Sequence, residues 1–138
     1  MKRAVVVSDG RLQVEAVLGA LAASGFEAVE VDNINAVRSN LEGGAAAVVL
    51  GHSAHVADAP QLAALASLPP GLRRSCVVAL VGPGLTTGDG TKAFQLGVDL
   101  VVAWHDTSRL GDLIDSAVAF KRNLVASLDP AAATRLGG

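Results

Sequence analysis

Two hydrophobic patterns alternate along the chain. One is a short β-branched run that is apolar at nearly every position, as in "AVVVS" (Ala4–Ser8), "AAVVL" (Ala46–Leu50), "CVVALV" (Cys76–Val81) and "VDLVVA" (Val98–Ala103). Runs apolar on both faces suit strands of a parallel sheet covered by helices. The other pattern repeats at i, i+3, i+4 and i+7. Val14, Val17, Leu18 and Leu21 form such a stripe from about Arg11, closed by "SGF" with Gly25 as C-cap. "EAVEV" (Glu27–Val31) alternates and reads as an edge strand. Asp32 or Asn33 then caps a helix carrying Ile34, Val37 and Leu41, ended by Gly43-Gly44. Asp58 and Pro60 open a helix with Leu62 and Leu65, which Pro69-Pro70 closes. "GPGLTTGDG" (Gly82–Gly90) is a long turn-rich loop before a short helix at Thr91–Leu96. A last helix runs from about Ser108 to Leu128 on the stripe Leu110, Leu113, Ile114, Ala117, Val118, Lys121, Leu124, Val125, Leu128. "DPAAATRLGG" is expected to fray.

Strand and helix thus alternate about five times without a repeat or linker. Right-handed crossovers turn this into an α/β fold, a parallel sheet with helices on both faces, and a flavodoxin-like (βα)5 sheet of order 2-1-3-4-5 is the expectation. Residues 1–128 are expected to form one domain and 129–138 a flexible tail. In such sheets ligands bind at the carboxyl ends of the strands. Chemistry is therefore sought in Ser8–Gly10, Gly51–His55, Gly82–Gly90 and Trp104–Thr107.

Composition narrows the classes. The chain has 138 residues, 51% hydrophobic, yet no apolar run approaches the ~18 residues of a membrane span. "MKRAVVVSDG" is too short in its apolar part for an export signal. The single cysteine, Cys76, excludes an internal disulfide and reads as a small buried hydrophobe. A cytoplasmic protein is expected. With net charge −2 and 3% aromatics, no basic footprint or stacking platform for nucleic acid is visible.

The segment "GDGTKAFQLGVDLVVAWHDTSRLGDLIDSAV" resembles the response-regulator receiver domain, with Ala93-Phe94, Gly97, Asp99, Leu110 and Ile114 in register. The resemblance covers about Lys2 to Leu128. It implies a role in bacterial two-component signalling, in which an aspartate at the end of the third strand takes a phosphoryl group. An acidic pair after the first strand holds Mg²⁺, and a lysine ends the fifth strand. A hydroxyl on the fourth strand and an aromatic on the fifth respond to the phosphate. Here the nucleophile position falls on Gly51 and the acidic pair on Ser8 and Asp9. The hydroxyl falls on Val81 or Gly82, the aromatic on Val101, and the lysine on Trp104. Phosphoryl transfer depends almost wholly on positioned charge. The expectation is therefore a pseudo-receiver: no enzyme, no Mg²⁺ or other cofactor, docking to another signalling protein or to a second copy of itself.

The remaining polar residues leave alternatives open. Asp9 is either a remnant metal ligand or a cap of the following helix. His52, His55 and His105, with Asp106, stand in loops at one face and offer a Zn²⁺ or Ni²⁺ donor set, or are solvated loop residues. "GPGLTTGDG" is either a phosphate cradle or a plain connection. A cobalamin-like or phosphate-containing ligand is the alternative function, although "SDGRLQ" lacks the Asp-x-His-x-x-Gly of cobalamin-binding domains. Trp104 either folds over Gly51 as a plug or stays exposed as a partner anchor.

Overall fold

The computed structural model describes residues 2–53 and 59–137. The elements in chain order are β1 (Lys2–Val7), α1 (Val14–Ala23), β2 (Phe26–Val31), α2 (Val37–Glu42), β3 (Ala47–Gly51), α3 (Ala59–Ala66), α4 (Pro70–Arg74), β4 (Val77–Gly82), α5 (Gly90–Leu96), β5 (Leu100–Ala103), α6 (Leu110–Val125) and α7 (Pro130–Gly137). Short 3₁₀ turns precede α2 (Ile34–Ala36) and α6 (Trp104–Arg109). The five strands form one sheet of order β2-β1-β3-β4-β5, every pairing parallel. This is the flavodoxin-like α/β fold.

Pleating assigns the strand residues to two layers. Val5, Val7, Val48, Leu50, Val78 and Leu80 pack with Val37, Leu41, Leu65, Leu72 and Ala93 on the α2, α3, α4 and α5 side. Ala4, Val6, Ala47, Val49, Ala79 and Val81 pack with Val17, Leu21, Leu110 and Ile114 on the α1 and α6 side. The central strands β3 and β4 are buried throughout, which is why their sequences lack alternation. β2 and β5 are the edges.

At the amino end of β4 and β5 a charged network joins the layers. Asp99 pairs with Arg73 at 2.9 Å and with Lys121 at 3.1 Å, and accepts the Val78 amide at 2.8 Å. The Lys121 ammonium also donates to the Cys76 carbonyl at 2.6 Å. Burial pulls the Lys121 ammonium below its ordinary range, an effect that Asp99 opposes. Burial likewise pushes the Cys76 thiol up, as suits a residue serving as a core hydrophobe.

Three boundaries differ from the sequence reading. Pro69-Pro70 does not only close α3: Pro70 opens α4, where a missing amide costs nothing. The expected helix Ser108–Leu128 is a 3₁₀ turn followed by α6, and Leu124 and Leu128, placed on the core stripe, are exposed instead. The expected flexible tail is helical over Pro130–Gly137. Asp129 Oδ1 accepts the Ala132 amide at 3.1 Å and Asp129 Oδ2 accepts from Arg74 at 3.0 Å. Ala132 and Leu136 then bury against Val125. A cap, a proline just inside the helix and a small apolar contact suffice to seat a segment whose composition alone reads as loose.

The Ala132 amide, followed by Arg74, holds the Asp129 carboxyl below its ordinary value of 3.8. A carboxyl lowered in this way stabilises the docked helix above that value and loses the effect as pH falls through its lowered pKa. The protection factors of the Ala132 and Leu136 amides, taken against intrinsic exchange rates at each pH, are therefore expected to fall on acidification below about 3.8. The Asp129→Asn variant should lack this acid-dependent step. Wild-type protection factors that do not change with pH in that range would refute the assignment.

Candidate functional site

The carboxyl ends of β1, β3, β4 and β5 define the face where chemistry was sought, and the loop after β1 dominates it. Gly51 closes β3 fully buried. A Cβ built there would lie 2.6 Å from the Arg11 carbonyl carbon and 2.7 Å from the Arg11 Cβ. No side chain fits at Gly51 unless the β1–α1 loop moves. The volume in which an acceptor carboxylate would stand is taken by the backbone of Arg11. Trp104 does not supply the plug: it is partly buried, packs on the α1 and α6 side, and walls a cavity of about 320 Å³ with Gly10, Arg11, Leu12, Gln13 and Pro83.

A second close approach lies beside the first. The His52 amide donates to the Val81 carbonyl at 2.8 Å, extending the β3–β4 ladder by one residue. A Cβ at Gly82 would stand 2.5 Å from the His52 carbonyl oxygen. At the end of β4, glycine thus occupies a position where a hydroxyl residue could not be seated without displacing the His52 backbone.

Ser8 and Asp9 follow β1. Ser8 is tied to the end of β2, its amide donating to the Val31 carbonyl at 2.8 Å and its hydroxyl to the same oxygen at 3.3 Å. Asp9 does not cap α1, which begins only at Val14, after Gln13. Its Oδ1 accepts the Arg11 amide at 3.4 Å, and its Oδ2 lies 3.6 Å from Arg11 Nε and accepts from Gln61 Nε2. Arg11 Nη1 donates to Gln61 Oε1 at 3.4 Å. Gln61, on α3, is 6% exposed. The three side chains close a ring that links the β1–α1 loop to α3, with a guanidinium as the resident counter-charge. A divalent cation of the Mg²⁺ type takes several oxygen ligands, carboxylates foremost. The described residues offer it one carboxylate, already neutralised, so they do not fit such an ion.

The other candidates are scattered. Val81 and Val101 are fully buried in the sheet. His105 is 82% exposed, with Nε2 3.8 Å from Asp106 Oδ2. His52 is half-buried, and His55, like Asp58, lies outside the described residues. Among the described residues no group of three or more His, Cys, Asp or Glu side chains is placed to hold a metal ion. In the β4–α5 loop the Gly88 amide donates to the Val101 carbonyl at 3.0 Å and the Asp89 amide to the Thr86 carbonyl at 3.1 Å. The Asp89 side chain accepts the Lys92 amide at 3.1 Å as the cap of α5. The Gly88, Asp89 and Lys92 amides are thus engaged within the chain.

Two arrangements went unread in the sequence. Neither Gln61 on α3 nor Thr87 in the β4–α5 loop carries a motif that marks it. In the fold, the Thr87 hydroxyl donates to Asp106 Oδ2 at 2.6 Å and accepts the Ala103 amide at 2.8 Å. It thereby seals the edge of β5 beside Trp104. A loop of several glycines has no periodicity from which to read where a threonine will land.

No family model matches the chain, and no curated protein matches it either. Among solved structures it is similar to the signal receiver domain of a modulated diguanylate cyclase from Desulfovibrio desulfuricans G20, described as an example of alternate folding. The two are 18% identical with a TM-score of 0.62, over 90% of this chain and 98% of that one. At that identity the likeness establishes a receiver-type fold. No helix of the described residues is long and apolar enough to cross a membrane.

Filling the Gly51 position should be costly. Gly51→Ala is expected to lower stability by about 1–3 kcal/mol, the usual cost of overpacking, read from the urea midpoint. Gly19→Ala, with nothing within 4 Å of its added Cβ on α1, is the control. It should be neutral or stabilising by up to ~1 kcal/mol. Equal midpoints for Gly51→Ala and wild type would show that the loop does not rest on β3.

Proposed function

We propose that this chain is a receiver-like signalling module of a bacterial two-component-type pathway that takes no phosphoryl group and works by protein–protein docking. One observation carries the first half: the Arg11 backbone stands where a Cβ of Gly51 would be, while Asp9 is held by Arg11 and Gln61. Among the described residues, this seats no nucleophile at Gly51 and gathers no cluster for a charge-compensating metal. Phosphoryl transfer has little else to draw on.

The second half rests on the groove between α5 and α6. It has a volume of about 630 Å³ and is walled by Phe94, Leu100, Leu113, Phe120 and Leu124. Phe94 is 87% exposed, Phe120 67% and Leu124 59%. Apolar side chains this large, gathered on one surface, favour association. The occupant we assign is a second copy of the chain. Among the described residues, the ionisable groups lining the groove are Asp99 and Lys121, which pair with each other at 3.1 Å. A two-fold contact sets a patch against itself, so a face without net charge meets its own copy without repulsion. The outer edge of β5 is closed by the Thr87 and Gly88 bonds, which favours side-chain packing over strand addition.

Two measurements test the halves separately. With Mg²⁺ and acetyl phosphate, the intact mass should show no added phosphoryl group, and amide resonances of Asp9, Gly51 and Trp104 should not move. Stoichiometric phosphorylation would overturn the first half. In sedimentation the wild type should show a concentration-dependent dimer that Phe120→Asp weakens by at least about tenfold, as for an interface hot spot, with the melting temperature kept. A wild type that stays monomeric at high micromolar concentration, or a variant that dimerises equally well, would overturn the second half.

A further inference from the structure

The chain has a net charge of −2, yet cations gather around one cavity at the amino end of the sheet. This end is opposite the candidate site. The cavity, of about 220 Å³, opens between the starts of β1 and β3 and the helices α6 and α7. Its apolar wall is Phe26, Val118 and Leu136, and its charged rim is Lys2, Arg3, Arg122 and Asp115. Lys2 and Asp115 neutralise each other at 2.9 Å. The Arg3 guanidinium donates to the neutral Gly43 carbonyl, which leaves its charge uncompensated. Arg122 has no hydrogen-bond or ion-pair partner among the described residues, and it lies against Gly137, where an added Cβ would be 3.4 Å from its Nη1.

We infer that this cavity binds a small amphiphilic oxyanion, a carboxylate or a phosphate monoester. Its apolar part would lie against Phe26, Val118 and Leu136, and its oxygens would accept from Arg122 and Arg3. Two guanidinium groups recognise planar or tetrahedral oxyanions through paired N–H donors, which suits this rim better than a cationic or neutral ligand. The cavity is smaller than the ~300–1,000 Å³ of drug-sized sites, so the ligand is small. Because Leu136 and Gly137 belong to α7, a ligand held there binds only the docked helix and stabilises it by linkage. The inference uses none of the residues assigned to the groove or to the Arg11 ring.

The test is a titration of the full chain with phenyl phosphate and with benzoate at constant ionic strength, followed by amide resonances, with inorganic phosphate as reference. Saturable shifts are expected at Arg3, Gly44, Arg122 and Leu136, together with slower amide exchange in α7. The tighter of the two probes identifies the head group. Arg122→Ala, at an exposed position, should keep its melting temperature and bind about tenfold more weakly, the loss of one charge-assisted contact. Three results would each overturn the proposal: no saturable shift with either aromatic probe, unchanged affinity in Arg122→Ala, or inorganic phosphate binding as tightly as phenyl phosphate.

Discussion

The descent of the β1–α1 loop onto the end of β3 is the constraint from which the candidate site follows. With Arg11 backbone atoms 2.6 to 2.7 Å from the Cβ position of Gly51, the end of β3 is a floor, not a pocket. Once the loop is seated there, the Arg11 side chain is placed beside Asp9, and Gln61 from α3 completes the ring. The Asp9 carboxylate, just past β1, thereby serves as an internal tether. Glycine at position 51 is the condition for this arrangement, since any larger residue would hold the loop off the sheet and separate Asp9 from its partners.

The same economy of charge recurs at the other end of the sheet with a different outcome. Asp99 gathers Arg73, Lys121 and the Val78 amide into one network, so cations from α4 and α6 meet on a single carboxylate. Truncating one member of such a part-buried network leaves charge uncompensated, which is destabilising. The ionic groups that line the α5–α6 groove among the described residues, Asp99 and Lys121, are likewise paired within the chain. Nearby, Arg3 and Arg122 are not so paired. Among the described residues, Asp9 is thus paired at the carboxyl end, Asp99 and Lys121 are paired on the flank, and Arg3 and Arg122 lack a counter-charge at the amino end. Function is proposed on the flank and at the basic end, where apolar surface or charge is left without an internal partner.

Trp104 shows how a vacancy argument can fail. The sequence places the indole where a receiver keeps a lysine, and a missing nucleophile suggests a hole for it to fill. No hole exists, because backbone closes the space before a side chain is needed. Trp104 instead packs on the α1 and α6 side, with one surface open to a shallow cavity. Main-chain atoms of a nearby loop fill a glycine's surroundings at no cost in side-chain entropy, whereas an indole would have to bend back over its own strand end.

By itself, the sequence determined the sheet. Ala4–Val7, Ala47–Leu50 and Val77–Val81 are apolar at every position, and such runs are stable only when both faces are covered, which leads to parallel strands and crossover helices; the order 2-1-3-4-5 is an expectation that the fold bears out. It also determined that position 51, at the end of β3, carries no side chain, since that is the identity of one residue. Tertiary structure decided the rest: that Asp9 binds Arg11 and Gln61 instead of capping α1, that Thr87 reaches β5, that residues 130–137 form a docked helix, and that Leu124 and Phe120 face outward. The reason is physical. Burial on two faces is a property of each strand and is written locally at every residue. The partner of a polar side chain depends on where a second segment, tens of residues away, comes to rest, and no local pattern encodes that.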